Sequence, residues 1–378
     1  MATLRISVGG LLAADLMHRW TEVSAFYSDG GVLPRTEAPG RIFLPHFLSG
    51  SIGYVAVLLG VQVLFALALA LGYRTKWVTP ITWFLLISLE ARNPYVLQGS
   101  DGLFRVLLLW GMFLPWGRVW SLDWRRERKA RSVDERPVAA RFLSFASAGV
   151  LLQVCMVYLY SAALKDHGTW FDDGSAVFRA LSVDCWTTDF GRLLLANREL
   201  LVVLSRATYL LEWIGPILAF CPIGTPFFRL LAIASFWCFH LLGLAPTMYL
   251  GPFPYLSAAS WLVFLPTCFW ERVQEPWLRS VNPRLGILWE MLPLSLRPVP
   301  VEEGTLLSPG ASGAGWLHQV LAGLLIVNLL VWNTLELDAG GAGRRLPWWW
   351  SKVAYTLRLD QRWGMFATRL QEPRTDGS

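Results

Sequence analysis

Stretches of about 20 mostly apolar residues recur along nearly the whole chain, and each is long enough to cross a lipid bilayer as a helix. In lipid, a helix is favoured because it satisfies its own backbone hydrogen bonds. We therefore predict an all-α fold, a polytopic membrane helical bundle with about nine transmembrane helices. The predicted spans are 6–27, 48–72, 77–97, 101–117, 142–164, 200–221, 229–250, 254–270 and 316–334.

The composition agrees with a membrane location. Of the 378 residues, 54% are hydrophobic and only 16% are charged, whereas soluble domains carry about a quarter charged residues. A soluble protein of this size has no interior large enough for 21 Trp and 21 Phe. A cytosolic enzyme is thereby excluded. The net charge of +6 is spread between apolar stretches, which also excludes a disordered or nucleic-acid-binding chain.

Charged loops predict the orientation of the bundle. Segment 118–141 holds the densest cluster of Arg and Lys in the chain, and such clusters mark cytoplasmic loops. Alternation then places the N-terminus inside and segment 165–199, with six acidic and four basic residues, outside. We predict a cytoplasmic linker with Pro and Gly over 271–315, a ninth span over 316–335 and a short extracytoplasmic tail over 336–378.

Sequence motifs for metal or nucleotide chemistry are not found. The five His show no spacing with Cys or carboxylates that is typical of zinc sites, so no metal is expected. The chain carries no Walker loop, no dinucleotide-binding glycine turn and no nucleophile elbow. No internal repeat supports a transporter, which is the weakest of the functional interpretations.

Polar side chains inside the spans are the first candidates for function, because they are costly in lipid. In the first span, Asp15, Arg19 and Glu22 have spacings that allow pairing along one helix face. They either hold the span against its neighbours or line a pocket. Glu212 is isolated in the sixth span, and pairing with a basic group of another span is favoured over catalysis.

Four non-helical pieces are expected to meet at the outer ends of the spans. Lys165 ends the fifth span, and Tyr158 lies two turns earlier on the same side. The lysine either extends to the outer interface or is buried by neighbouring helices, where loss of water favours a neutral amine that can act as a base. The four pieces are 26–35, 92–101, 165–170 and 246–254.

Several strings in order resemble bacterial proteins with the HTTM domain, the membrane domain shared with vitamin K-dependent gamma-carboxylase. The resemblance covers roughly residues 1–270, which are therefore predicted to form one HTTM-like domain with eight spans. The strings are Tyr27 to Arg35, Gly72 to Asp123 with Arg92-Asn93-Pro94 and Gly99-Ser100-Asp101, Tyr160 to Trp170, and Phe239-His240 followed by Tyr249 to Tyr255. Ordered motifs at compatible spacing are more specific than any single one.

The resemblance implies a gamma-carboxylase-like lyase of the bacterial cytoplasmic membrane, with its site near the extracytoplasmic face. Lys165 matches the lysine that acts as base on reduced vitamin K. The implied cofactor is reduced vitamin K or a menaquinol-type quinone, with O2 and CO2 as co-substrates, membrane lipid around it and a secreted peptide or protein as substrate. Candidate pocket residues are Tyr158, Trp170, His240, Ser100, Asp101, Arg105, Asn93, Tyr27, Asp29 and Arg19.

The sequence also departs from the carboxylase pattern. Leu164 precedes Lys165 where the carboxylases have a second lysine, and Ser100 stands where they have a histidine. The large extracytoplasmic domain that docks the protein substrate has no counterpart in this sequence. These departures keep an alternative open, in which the chain is a non-catalytic HTTM partner for export, maturation or immunity of a secreted peptide.

Overall fold

The computed structural model describes residues 1–38, 44–130, 144–266, 269, 315–338 and 341–366. These residues form helices and connecting turns, and the described part contains no β-strand beyond an isolated bridge between Thr187 and Met248. The α-helices are α1 (Ala2–Thr21), α2 (Val23–Phe26), α3 (Ile52–Leu71), α4 (Thr75–Arg92), α5 (Gly99–Phe113), α6 (Leu122–Ala130), α7 (Phe145–Leu164), α8 (Ala176–Leu181), α9 (Asp189–Leu194), α10 (Arg198–Ala219), α11 (Thr225–Trp237), α12 (Ala245–Thr247), α13 (Phe253–Ser260), α14 (Trp316–Glu336), α15 (Ala342–Arg345) and α16 (Trp348–Thr356).

Five helical segments in the described part are long and apolar enough to cross a membrane, which confirms the prediction of an all-helical protein with candidate membrane-spanning helices. They are α3, α7, α10, α14 and the continuous segment from α11 to α12. The other four predicted spans correspond to α1, α4, α5 and the segment Phe253–Phe264. Every 18-residue window of α1 and of α4 holds three charged residues, while α5 and Phe253–Phe264 are shorter than 18 residues.

Local sequence signals set the ends of α3. The Ser51 hydroxyl accepts a hydrogen bond from the backbone N–H of Tyr54 at 3.3 Å, as an N-cap does. Gly72 then ends the helix with φ of 69°, a left-handed conformation that glycine adopts without steric cost. The chain can therefore reverse into α4 within a few residues.

The chain divides into two compact units, each assembled from two segments. Unit 1 comprises Met1–Leu152 and Gly251–Asn328, and unit 2 comprises Gln153–Leu250 and Leu329–Ser378. Both units draw on residues 1–270, which the sequence-based division treats as one domain. The predicted linker 271–315 lies outside the described residues except for residue 315, as do residues 131–141 of the basic segment and residues 339–340 and 367–378 of the tail.

The core of unit 1 is built around large aromatic side chains. Trp110, Trp116, Trp261 and Phe104 are almost completely buried. Helix α1 packs along α3, and α5 packs against α4 and α13. In unit 2, Leu181, Leu201 and Met248 form a buried cluster beneath the short helices α8 and α9. Each unit thus has an apolar interior that fixes the helices bearing its polar groups.

Close approach of α1 and α3 depends on a glycine. A Cβ atom on Gly9 would lie 2.6 Å from the backbone nitrogen of Ala70 and 2.7 Å from the carbonyl oxygen of Ala66. Small residues at such positions let two backbones pack directly against each other, the pattern found in membrane helix pairs. Gly10, the next residue, is exposed and has open space around its Cβ position.

Substitution of these adjacent glycines is expected to have opposite effects. Gly9→Ala should lower the free energy of unfolding by about 1–3 kcal/mol, because the methyl group overlaps the α3 backbone. Gly10→Ala should raise it by up to about 1 kcal/mol, because alanine is the better helix former. Unfolding in mixed detergent micelles measures both, and a change of equal size and sign would contradict the packing of α1 on α3.

Candidate functional site

Lys165 lies just beyond the last turn of α7, and its side chain is only 2% exposed. The Nζ atom donates to the Ser161 hydroxyl at 2.7 Å and to Oε2 of Glu212 at 2.5 Å. The Glu212 side chain, on α10, is 6% exposed. Of the two alternatives left open by the sequence, extension to the interface and burial by neighbouring helices, the structure shows burial. Lys165 forms an ion pair that links the end of α7 to α10.

The indole of Trp170 covers the same ammonium group, with Nζ 4.6 Å from the ring centroid. Trp170 lies in the π-helical turn Gly168–Asp172. The Asp166 carboxylate stabilises this turn by accepting hydrogen bonds from the backbone N–H and hydroxyl of Thr169 at 2.8 and 2.7 Å. The Trp170 Nε1 group donates to the carbonyl oxygen of Phe366 at 3.2 Å. The position of the indole is thus fixed from both sides.

A second polar pair lies one helical turn away from Ser161. Tyr158 and His240 are both buried, and the Tyr158 hydroxyl lies 2.8 Å from Nε2 of His240. The Tyr158 ring also packs against Phe236, with centroids 4.2 Å apart. Because residues 158, 161 and 165 fall on one face of α7, the two polar pairs lie along the same side of this helix.

These groups form a cluster with acid–base capacity inside an apolar unit. His240 belongs to a π-helical segment, Cys238–Leu244, and the Trp170 turn is also π-helical. Such interruptions of α-helices occur frequently at functional sites. Ionisable side chains within membrane segments are costly and mark functional sites by default. We call Lys165, Glu212, Ser161, Trp170, Tyr158 and His240 the lysine cluster.

Unit 1 contains a separate network centred on Arg19. Its guanidinium donates to Asp15 at 2.8 Å, to the Tyr27 hydroxyl at 3.1 Å and to Asp101 at 2.6 Å. All four side chains are buried. The expected Asp15–Arg19 pairing is confirmed, but the second carboxylate partner is Asp101 and not Glu22, which is exposed at the end of α1.

Of the remaining predicted pocket residues of unit 1, Arg105 and Asn93 have polar contacts within the unit, and Ser100 differs from them. Arg105 pairs with the buried Glu90 at 2.6 Å. The Asn93 side chain donates to the carbonyl oxygen of Phe26 at 2.9 Å. The Ser100 hydroxyl is buried and has no hydrogen-bond partner within the described part of the chain. These residues belong to unit 1, and Lys165, Tyr158, Trp170 and His240 belong to unit 2.

Two of the non-helical pieces that were predicted to meet do so within unit 1. The Arg92 guanidinium donates to the carbonyl oxygens of Leu33 at 2.8 Å and Ser28 at 3.1 Å. Asp29 binds Arg35 at 2.9 Å and Arg92 at 3.4 Å. A buried arginine thus holds the loop after α2 against the end of α4, and Asp29 contributes to this contact.

Glu212, Ser161 and Glu90 were absent from the predicted set of site residues. A signal for Glu212 existed, since a lone carboxylate in an apolar span must find a cation; the favoured interpretation, pairing with a basic group of another span, is confirmed. Within the described ranges, no group of three or more His, Cys, Asp or Glu is placed to hold a metal ion.

Comparisons with protein-family models, with curated proteins and with solved structures give no significant match for this chain. The functional interpretation therefore depends on the geometry of the lysine cluster and on the sequence resemblance.

Proposed function

We propose that this chain is a membrane enzyme in which Lys165 acts as a base toward a reduced quinone, in the manner of a vitamin K-dependent gamma-carboxylase. In this proposal nine spans cross the bacterial cytoplasmic membrane, the N-terminus is inside, the C-terminus is outside and the site lies near the extracytoplasmic face. The observation that carries the proposal is the buried ion pair between Lys165 and Glu212.

The chemistry of the lysine cluster fits a reduced quinone. An amine, a phenol and an imidazole provide polar contacts for the ring hydroxyls, and Trp170 and Tyr158 provide aromatic surface for an apolar ring. Both polar pairs are buried. A bound hydroquinone would supply, together with O2, the strong base that removes a hydrogen from the substrate before CO2 adds at the same carbon.

Glu212 allows Lys165 to take up a proton. In the ion pair the proton is on Nζ and the carboxylate is ionised; when the proton moves to Oε2, Lys165 becomes a neutral amine and the pair keeps its net charge. The neutral amine can then accept a proton from a quinol hydroxyl. The direct hydrogen bond from Nζ to Oε2 provides the path for this transfer, and exclusion of water protects a strong base from being quenched.

Removal of the amine should abolish quinol oxidation. We expect the purified protein in detergent to form a quinone epoxide in an oxygen-dependent reaction, and Lys165→Ala to lower the rate by at least about 100-fold, the contribution of a general base. Lys165→Arg should also be inactive, because a guanidinium does not release its proton. Product formation from vitamin K hydroquinone and from menaquinol measures the reaction.

Lys352 provides a matched control. Its ammonium group also lies over an indole, that of Trp348 at 6.0 Å, but the residue is exposed. Lys352→Ala should therefore leave epoxide formation unchanged. A folded, monodisperse wild-type protein that forms no epoxide with any of several quinols would contradict the proposal.

A second candidate function is a non-catalytic membrane partner of a secreted peptide. It is favoured by one observation: Nζ of Lys165 already contacts Ser161, Glu212 and Trp170, an arrangement that a purely structural lysine would also show. In that case the protein forms no epoxide, and a secreted peptide encoded beside it co-purifies equally well with wild type and with Lys165→Arg.

A further inference from the structure

A surface cavity of about 260 Å3, widely open to its surroundings, lies in unit 1 where α3 ends and α6 begins. It is lined by Tyr73, Leu122, Arg125 and Arg126. Tyr73 follows α3 directly after the left-handed Gly72, and the other three residues belong to the first turns of α6. The cavity therefore combines two guanidinium groups with an aromatic and an aliphatic side chain.

Asp123 joins the two walls of this cavity. Its carboxylate accepts hydrogen bonds from the backbone N–H groups of Arg74 at 2.6 Å and Thr75 at 2.7 Å, and from the Thr75 hydroxyl at 2.9 Å. The Asp123 backbone N–H donates to the carbonyl oxygen of Gly72 at 3.0 Å. The Asp123 carboxylate is therefore occupied by three donors and ties the start of α6 to the start of α4.

Positive charge collects around Tyr73. The guanidinium carbon of Arg126 lies 4.5 Å from the centroid of the Tyr73 ring, and that of Arg74 lies 5.8 Å from it. A hydrogen bond from Arg126 and the charges of Arg74 and Arg126 lower the pKa of the exposed Tyr73 hydroxyl. A single guanidinium binds a phosphate through two parallel N–H···O hydrogen bonds, and two arginines line this cavity.

The helix that leads into the cavity, α3, has an exposed apolar side. Helix α3 is the most apolar of the candidate spans, and its exposed side includes Val57 at 69%, Leu64 at 66% and Leu71 at 61%. Trp77 on α4, four residues after Tyr73, is another exposed apolar side chain, at 71%. An anion with a long apolar tail would satisfy both surfaces, whereas a free phosphate would satisfy only the arginines.

We infer that the cavity formed by Tyr73, Leu122, Arg125 and Arg126 binds the phosphate headgroup of an anionic phospholipid, whose acyl chains lie along the exposed side of α3. Clusters of arginine beside a membrane span attract anionic lipid surfaces. The site lies outside the lysine cluster and does not depend on the proposed enzymatic activity.

Binding of defined lipids to the full chain in detergent tests the inference. Native mass spectrometry should show phosphatidylglycerol bound more tightly than phosphatidylcholine. The double variant Arg125→Gln/Arg126→Gln should weaken phosphatidylglycerol binding by about 30-fold, as expected for the loss of two basic side chains at a lipid headgroup. Arg125→Lys/Arg126→Lys should recover part of the affinity, because the charge remains and the bidentate geometry is lost.

The adjacent exposed residues Arg344 and Arg345 provide a control with the same loss of charge. Arg344→Gln/Arg345→Gln should leave phosphatidylglycerol binding unchanged. Equal weakening by both double variants, or equal binding of both lipids, would overturn the inference. Inorganic phosphate distinguishes the remaining source: if it competes at millimolar concentration and phosphatidylglycerol binds no more tightly than phosphate, the site takes free phosphate and the lipid assignment is wrong.

Discussion

Replacement of Glu212 by leucine is expected to lower the free energy of unfolding by about 3–5 kcal/mol, among the largest effects of any single substitution in this chain. The reason is that Lys165 would be left buried without the carboxylate that lies 2.5 Å from its Nζ atom. The Ser161 hydroxyl and the Trp170 indole remain, but neither carries a compensating charge. Reversible unfolding in mixed micelles of a mild detergent and sodium dodecyl sulfate measures the loss.

The double variant Lys165→Met/Glu212→Leu separates stability from function. Since removal of both members of a buried pair is often close to neutral, we expect its unfolding free energy to lie within about 1 kcal/mol of wild type. As an exposed control, Asp189→Leu removes the partner of Arg192 and should change stability by less than about 1 kcal/mol. A double variant as unstable as Glu212→Leu alone would show that the pair is not the origin of the loss.

A stable double variant also tests the proposed activity without a loss of folding. If it folds as well as wild type but forms no quinone epoxide, loss of activity cannot be attributed to unfolding. Glu212→Asp is the conservative comparison, because it keeps a carboxylate but shortens the side chain by one methylene. If Glu212 acts through Lys165, this variant should retain measurable epoxide formation with a shifted pH profile.

The lengths of the most apolar spans could be predicted from the sequence, because a helix needs about 20 apolar residues to cross a bilayer. The predicted span 142–164 corresponds to α7, Phe145–Leu164, and 316–334 corresponds to α14, Trp316–Glu336. Hydropathy does not reveal backbone detail, however. The predicted span 229–250 contains a change from α-helical to π-helical hydrogen bonding at Cys238, which depends on how His240 and its neighbours pack and not on their hydropathy.

The site was predictable only where partners are close in sequence. Asp15 and Arg19 are four residues apart, so helical geometry alone brings them together. Arg19 and Asp101 are 82 residues apart, and Lys165 and Glu212 are 47 apart. Each of these side chains could be recognised as a costly polar group in an apolar segment. Their pairing depends on which helices become neighbours in the fold. The positions of polar residues in a single sequence do not show which helices these are.

Arg19 is expected to be the residue of unit 1 whose loss is most damaging. Arg19→Met should lower the free energy of unfolding by about 3–5 kcal/mol. Methionine fills much of the volume of the arginine stem, so the effect arises mainly from the two carboxylates of Asp15 and Asp101, whose side chains are 6% and 2% exposed. Both would lose their cation while remaining buried. The same unfolding measurement in mixed micelles applies.

Neutralising one carboxylate in this background tests that explanation. Asp101→Asn combined with Arg19→Met should recover part of the lost stability, because an amide is less costly to bury than an unpaired carboxylate. Tyr27→Phe removes only a hydroxyl from the network and should cost about 1 kcal/mol. Arg192→Met, at an exposed arginine paired with Asp189, should be almost neutral. If Arg19→Met were as mild as Arg192→Met, Arg19 would contribute no more to stability than a surface ion pair. The explanation from two buried carboxylates would then be wrong.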